Sequence, residues 1–362
     1  MSIGRQFITF WAWFFFFSLC VSQNSVNAEI YLASRTTTGT EKLQIFSSTD
    51  EQAMRPLLTD FQELYPEVSI EYIELDSLPL FERFLNEAKV GTTADILISS
   101  AMDLQIKLVN DGYAATHEIG TALNWLPDWA QWRNQAFGFT YEPAVMIYNP
   151  GLLSPDAIPQ SRFQLIDLLR KQQSDFQGKV GTYDITRSGF GYLLASQDAQ
   201  QASTWGRLTE SLSRAKAELY ENTSSMLQAV QSGELLLAYN VLGSYAFTQA
   251  QNNPNLAVIL PTDYTLVMSR IAFVPRQAAN SKVGHWFLDY LLSERGQQLL
   301  ADSSGLYPIH PDIKGLATYS GLQQSARERG PLKRIKLGPA LLTYQDSLKK
   351  RHFLREWLDV MN

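Results

Sequence analysis

The chain has 362 residues, with 36 acidic and 30 basic side chains, a formal charge of −6 and a pI near 5.4. A hydrophobic content of 45% with 18% charged residues excludes a disordered chain, and the acidic balance without a long basic run argues against nucleic acid or an anionic membrane surface as the main partner. The single cysteine excludes a disulfide scaffold and every multi-cysteine zinc or iron–sulfur site.

Arg5 precedes a mostly apolar run, Phe7 to Val21, shorter than the roughly 18–20 residues that a spanning helix needs. Val26-Asn27-Ala28 then offers the small or modest residues that a signal peptidase reads. The combination predicts a secretory signal over residues 1–28, cut after Ala28, rather than an uncleaved anchor. Bulky Leu19 before Cys20 speaks against a lipoprotein. Cleavage removes Arg5 and Cys20, so the mature chain is cysteine-free and one unit more negative, as suits export to the periplasm.

Leu43–Phe46 reads as a strand, and Ser47-Ser48-Thr49-Asp50-Glu51 opens a helix with Met54, Leu57, Leu58, Phe61 and Leu64 on one face. That helix stops before Pro66. Val68–Leu75 alternates as a second strand, a helix covers about Leu80–Val90, and Gly91 ends it. Ala94–Ile98 is a near-continuous apolar run, as expected of a strand buried on both faces, and Ser99-Ser100 leads into a helix over Met102–Asn110. This alternation predicts an α/β doubly wound sheet.

Trp125, Trp129 and Trp132 read as packing residues. Phe137–Asn149 is one long extended run, long enough to pass between two lobes. A helix over Arg162–Gln173 and a strand over Lys179–Tyr183 begin a second α/β unit, with further strands at Leu235–Tyr239 and Leu256–Leu260. Thr265–Val274 is extended again and reads as a return crossing. Helices follow at Lys282–Leu292 and Arg295–Asp302, and a long one at Leu341–Met361.

No catalytic constellation appears. His117, His285, His310 and His352 are scattered without metal-ligand spacing, and no nucleophile elbow or phosphate-binding loop occurs. Ser188-Gly-Phe-Gly-Tyr192 lacks the third glycine of a dinucleotide fingerprint. What remains is a set of polar tips at strand ends: Ser47-Ser48-Thr49, Ser99-Ser100, Arg187-Ser188 and Asn240 with Ser244 and Tyr245. Ligands of open α/β sheets bind beyond the carboxyl ends of the strands, where helix N-termini favour an anion. Each tip alone is equally a helix cap; together, with Arg187 as a planar permanent cation, they predict a ligand site. No metal and no cofactor are expected.

Several stretches carry a family resemblance: Ile45-Phe-Ser-Ser-Thr-Asp-Glu51, Ala94-Asp-Ile-Leu-Ile-Ser-Ser100, Phe137-Gly-Phe-Thr-Tyr-Glu-Pro143 with Tyr148-Asn149, Gly233–Tyr245, and Ala278–Pro311. With them the chain resembles, over nearly all of residues 41–360, the periplasmic solute-binding proteins of ABC transporters. The group includes ferric-iron binders and the phosphoglycerate-transport regulatory protein. The resemblance implies a type II periplasmic binding protein: two lobes with doubly wound sheets, a hinge of crossing strands, and a solute held between. It divides the chain into residues 41–141 plus 265–310 as one lobe and 142–264 plus 311–362 as the other.

Iron binders of this group use two adjacent tyrosines after the strand that matches Leu235–Tyr239. Here that place reads Gly243-Ser-Tyr-Ala246 and supplies only Tyr245. Their histidine and glutamate ligands fall near Asp50 and Ser100, and Fe³⁺ requires several hard anionic oxygens. The expected ligand is therefore a small organic anion, phosphorylated or carboxylated, with ferric iron and an exported hydrolase as alternatives. An ABC permease or a membrane sensor kinase is the expected partner of a monomer.

Overall fold

The computed structural model describes residues 29–33, 40–118, 120, 124–201 and 203–361, with side chains described from residue 40 onward except at 328. The expected signal segment, residues 1–28, lies outside the described residues. Among those described, no helix is long and apolar enough to cross a membrane.

The first sheet takes β1 (Glu29–Ala33), β2 (Glu41–Ser47), β3 (Val68–Glu74), β4 (Ile96–Ser99), β5 (Gln131–Trp132) and β6 (Ala136–Gly138). The second takes β7 (Glu142–Tyr148), β8 (Val180–Tyr183), β9 (Glu218–Tyr220), β10 (Leu237–Leu242), β11 (Ala257–Ile259) and β12 (Thr265–Met268). The chain then returns: β13 (Ile271–Phe273) inserts between β4 and β6, giving the order β1-β3-β2-β4-β13-β6-β5. A late strand, β14 (Leu332–Arg334), edges the second sheet in the order β14-β12-β7-β10-β8-β9, with β11 also on β7. β2, β3 and β4 run parallel, and the crossing strands pair antiparallel. This is the two-lobe α/β architecture expected.

Burial explains the pattern. β4, β7 and β10 are apolar along nearly their whole length because helices cover both faces. One apolar cluster runs through both sheets, and a second, with Leu165, Leu208 and Leu237, fills the far face of the second sheet. Between the lobes the chain crosses at Phe139–Tyr141 and Ser269–Arg270, and the crossings are bonded to each other: Phe139 N donates to Arg270 O at 3.1 Å and Arg270 N to Thr140 Oγ1 at 2.8 Å. Sheet membership therefore changes between Met268 and Ile271, four residues later than the boundary placed at 265. Gly138 is required here, because a Cβ would collide with the Ser269 side chain of the neighbouring crossing.

The long C-terminal helix expected over Leu341–Met361 is broken. A 3₁₀ turn, Pro339–Tyr344, precedes the helix Ser347–Met361, and Asp346 starts the latter by accepting from the amides of Leu348 and Lys349. Phe353 and Trp357 bury the helix against Tyr192 and Trp205 of the second lobe. The 3₁₀ turn instead rests on the helix Met102–Asn110 of the first, where Gln345 Nε2 donates to Asp103 Oδ2 at 2.5 Å.

Burial pushes the Asp103 carboxyl up to about 6, against the opposing help of Gln345 and Lys350. Because the folded value exceeds the unfolded one, ionising this group costs stability as pH rises from about 4 through 6 and the cost is complete above. Asp103→Asn should therefore raise stability at pH 7.5 by on the order of 2 kcal/mol, with the gain gone at pH 4. Urea unfolding at the two pH values checks it; an equal effect at both would disprove the burial penalty.

Candidate functional site

The N-termini of six helices converge between the lobes. From the first lobe come those of Glu51–Leu64, Ser77–Val90 and Met102–Asn110; from the second come those of Gly189–Gln201, Thr223–Ser232 and Gly243–Ala250. They surround a cavity of about 290 Å³ lined by Ser48, Asp50, Glu74, Asp76, Ser77, Ser100, Tyr183, Ser188, Phe190, Glu221, Asn222, Thr223, Ser224, Tyr245 and Arg270, with Leu75 and Leu242. Aligned peptide dipoles at such termini carry partial positive charge toward the space they enclose.

The lobes touch across this cavity. Asp50 N donates to the Tyr245 hydroxyl at 3.0 Å, Ser224 Oγ donates to Asp50 Oδ2 at 3.0 Å, and Phe190 N donates to Ser77 Oγ at 3.0 Å. Asp76 is hydrogen-bonded to Asn222 across the same gap.

Arg270 forms the cavity floor. It is 1% exposed, and it comes from the crossing, which places it between the two sheets. Its Nε donates to Glu142 Oε1 at 2.9 Å, Nη2 to Glu142 Oε2 at 3.3 Å and Nη1 to Thr49 Oγ1 at 2.7 Å, while the guanidinium carbon lies 5.1 Å from the Tyr245 ring centre. Burial opposes its charge, but Glu142 and Tyr245 outweigh that and hold it protonated. A guanidinium has five N–H groups. Three are engaged, so two lack a partner among the described residues, on a side chain that lines the cavity.

Of the residues expected from sequence, Ser48, Ser100, Ser188 and Tyr245 line the cavity. Ser48 Oγ donates to Ser99 Oγ at 3.2 Å and accepts from Ser100 N at 3.0 Å, which knits the tips of β2 and β4 together. Ser188 caps its helix by accepting from Gly191 N at 3.1 Å. Burial pushes the Tyr245 hydroxyl well above its ordinary range, so it stays protonated.

Ser47, Thr49 and Ser99 stand one layer behind. Ser47 Oγ accepts from Thr49 N, Ser99 Oγ from Ala101 N, and Thr49 holds Arg270. The remaining three lie elsewhere. Arg187 is 58% exposed at the rim, paired with Glu221. Ser244 is buried below the cavity and donates to Glu142. Asn240 adopts φ 63°, at the irregularity where β10 shifts register on β7, and its Nδ2 turns into the second lobe's core to donate to Asp198 at 2.7 Å.

Sequence reasoning missed Arg270 and the carboxylates Asp50, Glu74, Asp76 and Glu221. Arg270 lies inside a run that reads only as a crossing strand, Asp50 reads as a helix-start residue, Glu74 as part of a strand, and Asp76 and Glu221 are not singled out. Asp50 and Asp76 do precede helices, yet neither side chain makes a cap hydrogen bond, which leaves both turned toward the cavity. Burial raises the Asp76 pKa; the bond to Asn222 opposes this, and the nearby Glu221 and Asp50 carboxylates add to it.

The scattered histidines do meet in part: His117 and His285 share a 2.8 Å contact between Nδ1 atoms, and His117 Nε2 lies 2.8 Å from Asp289. Opposite ring nitrogens face the two partners, so one metal cannot bridge them. Among the described residues no group of three histidine, cysteine or acidic side chains is placed to hold a metal.

The sequence profile of the family described as bacterial extracellular solute-binding protein matches residues 43–304. Among curated proteins none matches the sequence. Among solved structures, the substrate-binding protein of an ABC transporter from Agrobacterium tumefaciens is 33% identical, with a TM-score of 0.88 over 93% of this chain and 100% of that one. The periplasmic binding protein AfuA of Actinobacillus pleuropneumoniae, solved with fructose-6-phosphate, is 17% identical with a TM-score of 0.73 over 89% of this chain and 99% of that one. Iron-bound HitA of Pseudomonas aeruginosa is 21% identical with a TM-score of 0.66 over 88% and 99%. At these last two identities the likeness is one of fold.

Proposed function

We propose, because this chain belongs to the bacterial extracellular solute-binding protein family, that it captures a small organic anion between its lobes and delivers it to an ABC permease. Proteins of this family and its structural neighbours are binding proteins, not enzymes. The observation that carries the anion is Arg270: a buried guanidinium with two uncommitted N–H groups in the interlobe cavity. A phosphate or carboxylate there gains a charge-assisted fork, with the Ser48, Ser100 and Ser188 tips and the Tyr245 hydroxyl close by. Solute contacts with both lobes would favour the closed arrangement, and only such differential contact shifts a hinge equilibrium. The closed shape is then what a permease, or a membrane sensor kinase, would read.

A thermal-shift panel on unfolded and refolded protein tests this reading, with phosphoglycerates, hexose phosphates, di- and tricarboxylates and ferric citrate. A ligand at a hundredfold its Kd adds about 2.7 kcal/mol of stability. Stabilisation by a phosphorylated or carboxylated compound is the expected result. In such a titration Arg187→Ala should change the affinity by no more than about threefold, since an exposed ion pair contributes little. A response to ferric iron alone would replace the anion reading with iron capture.

A further inference from the structure

The anion reading accounts for one wall of the cavity and leaves the other unexplained. Four carboxylates line the space, Asp50, Glu74 and Asp76 from the first lobe and Glu221 from the second. The one arginine that lines it is already paired with a fifth carboxylate, Glu142. One of the four is paired with a cation, Glu221 with Arg187 at the rim, and Glu74 Oε2 accepts from Glu51 N at 2.6 Å. The side-chain hydrogen-bond partners of Asp50 and Asp76, Ser224 and Asn222, are neutral and belong to the opposite lobe; of the two acids only Asp50 feels the Arg270 charge. Closing the lobes thus drives Asp76 toward Glu221 while shielding both from water, which makes their repulsion stronger. A dianion placed in this cavity would add to that repulsion wherever it lies beside these carboxylates, away from Arg270 and the helix N-termini.

Resting on the capture reading above, we propose that the solute is a small zwitterion: its anionic group meets Arg270, and a protonated amine sits among Asp50, Asp76 and Glu221. The amine supplies a full positive charge beside Asp76, whose side-chain hydrogen-bond partner, Asn222, is neutral. A neutral hydroxyl in that position would donate a hydrogen bond but leave the carboxylates repelling each other. The ammonium has three donors, enough to reach acids on both lobes at once, so it favours the closed form over the open one. Specificity then comes as much from exclusion as from attraction, since a plain dianion is turned away by unneutralised charge.

Two matched pairs of probes isolate the amine: O-phosphoethanolamine against ethyl phosphate, and glucosamine 6-phosphate against glucose 6-phosphate. Calorimetric titration of the wild-type protein should favour the amine-bearing member of at least one pair by about tenfold or more, the scale of one charge-assisted contact. Asp76→Asn/Glu221→Gln should erase that preference. Small-angle scattering without solute gives a readout that needs no binding: the neutralised variant should have a smaller radius of gyration than the wild type. Equal or tighter binding of ethyl phosphate or glucose 6-phosphate by the wild type overturns the proposal. Should none of the four probes bind, the scattering decides, and equal radii overturn it. A panel in which no solute compacts either protein would instead bring down the capture reading itself.

Discussion

Replacing Arg270 by Met in a Glu142→Gln background should weaken solute affinity by about a hundredfold or more while leaving the fold intact. The magnitude follows from losing a two-pronged, charge-assisted contact in a buried site, on the scale of about 3 kcal/mol. The second substitution matters because Glu142 is fully buried, and its carboxylate is held by Arg270 and Ser244. Arg270→Met alone would strand that charge, at a cost of about 3–5 kcal/mol. The single variant would then lose binding through unfolding, and the two causes would be confounded. Urea unfolding should show the single variant crippled and the double variant close to wild type, with calorimetry showing both deficient in binding. Full affinity in the double variant would remove Arg270 from the site.

Arg162→Leu should destabilise the second lobe by about 3–5 kcal/mol without touching the cleft. Arg162 is fully buried. Its Nε donates to the Tyr239 hydroxyl at 2.5 Å, and Nη1 donates to Tyr264 O at 2.6 Å and to Asp263 at 3.2 Å. Nη2 stands 3.2 Å from Asp198 without the alignment of a hydrogen bond, so charge alone binds that pair. The guanidinium carbon lies 3.6 Å from the centre of the Tyr264 ring. Asp198 also accepts from Tyr239, Tyr264 and Asn240, each at 2.7 Å. Leucine removes the cation and leaves the aspartate buried among neutral donors. The loss is a large fraction of a typical domain's stability, and urea unfolding should show it directly. A shift below about 1 kcal/mol would mean that those three donors alone satisfy Asp198.

The fold was legible because its signals are local. Apolar runs such as Ala94–Ile98 name a strand buried on both faces, and the extended stretches 137–149 and 265–274 announce the crossings. The site was legible mainly where a polar residue lies between a strand and the start of a helix, as Ser48 and Ser100 do directly and Ser188 does after a short turn. Asn240 has the same sequence context, yet one left-handed residue at a bulge turned it into the core. Arg270 gave no local sign, for its meaning comes from Glu142, 128 residues away, and from the cavity above it. The C-terminal helix failed for a simpler reason: Asp346 is a good cap, and a cap inside a periodic run marks a second start.

The insertion of β13 between β4 and β6 constrains how the molecule assembles. The first sheet draws β4 from residues 96–99 and its neighbour β13 from residues 271–273, so this pairing must wait for the intervening chain. Most of the second sheet, by contrast, is contiguous between residues 142 and 268. Its central β7 nevertheless pairs at long range, Tyr148 with Leu237 and Pro143 with Val267, whereas β1 to β4 of the first sheet pair with near neighbours in the chain, so the early part of the first lobe has the lower contact order. Neither lobe is complete until the chain beyond residue 270 is made: β13 closes the first sheet, and β14 and the helix Ser347–Met361 then complete the second lobe.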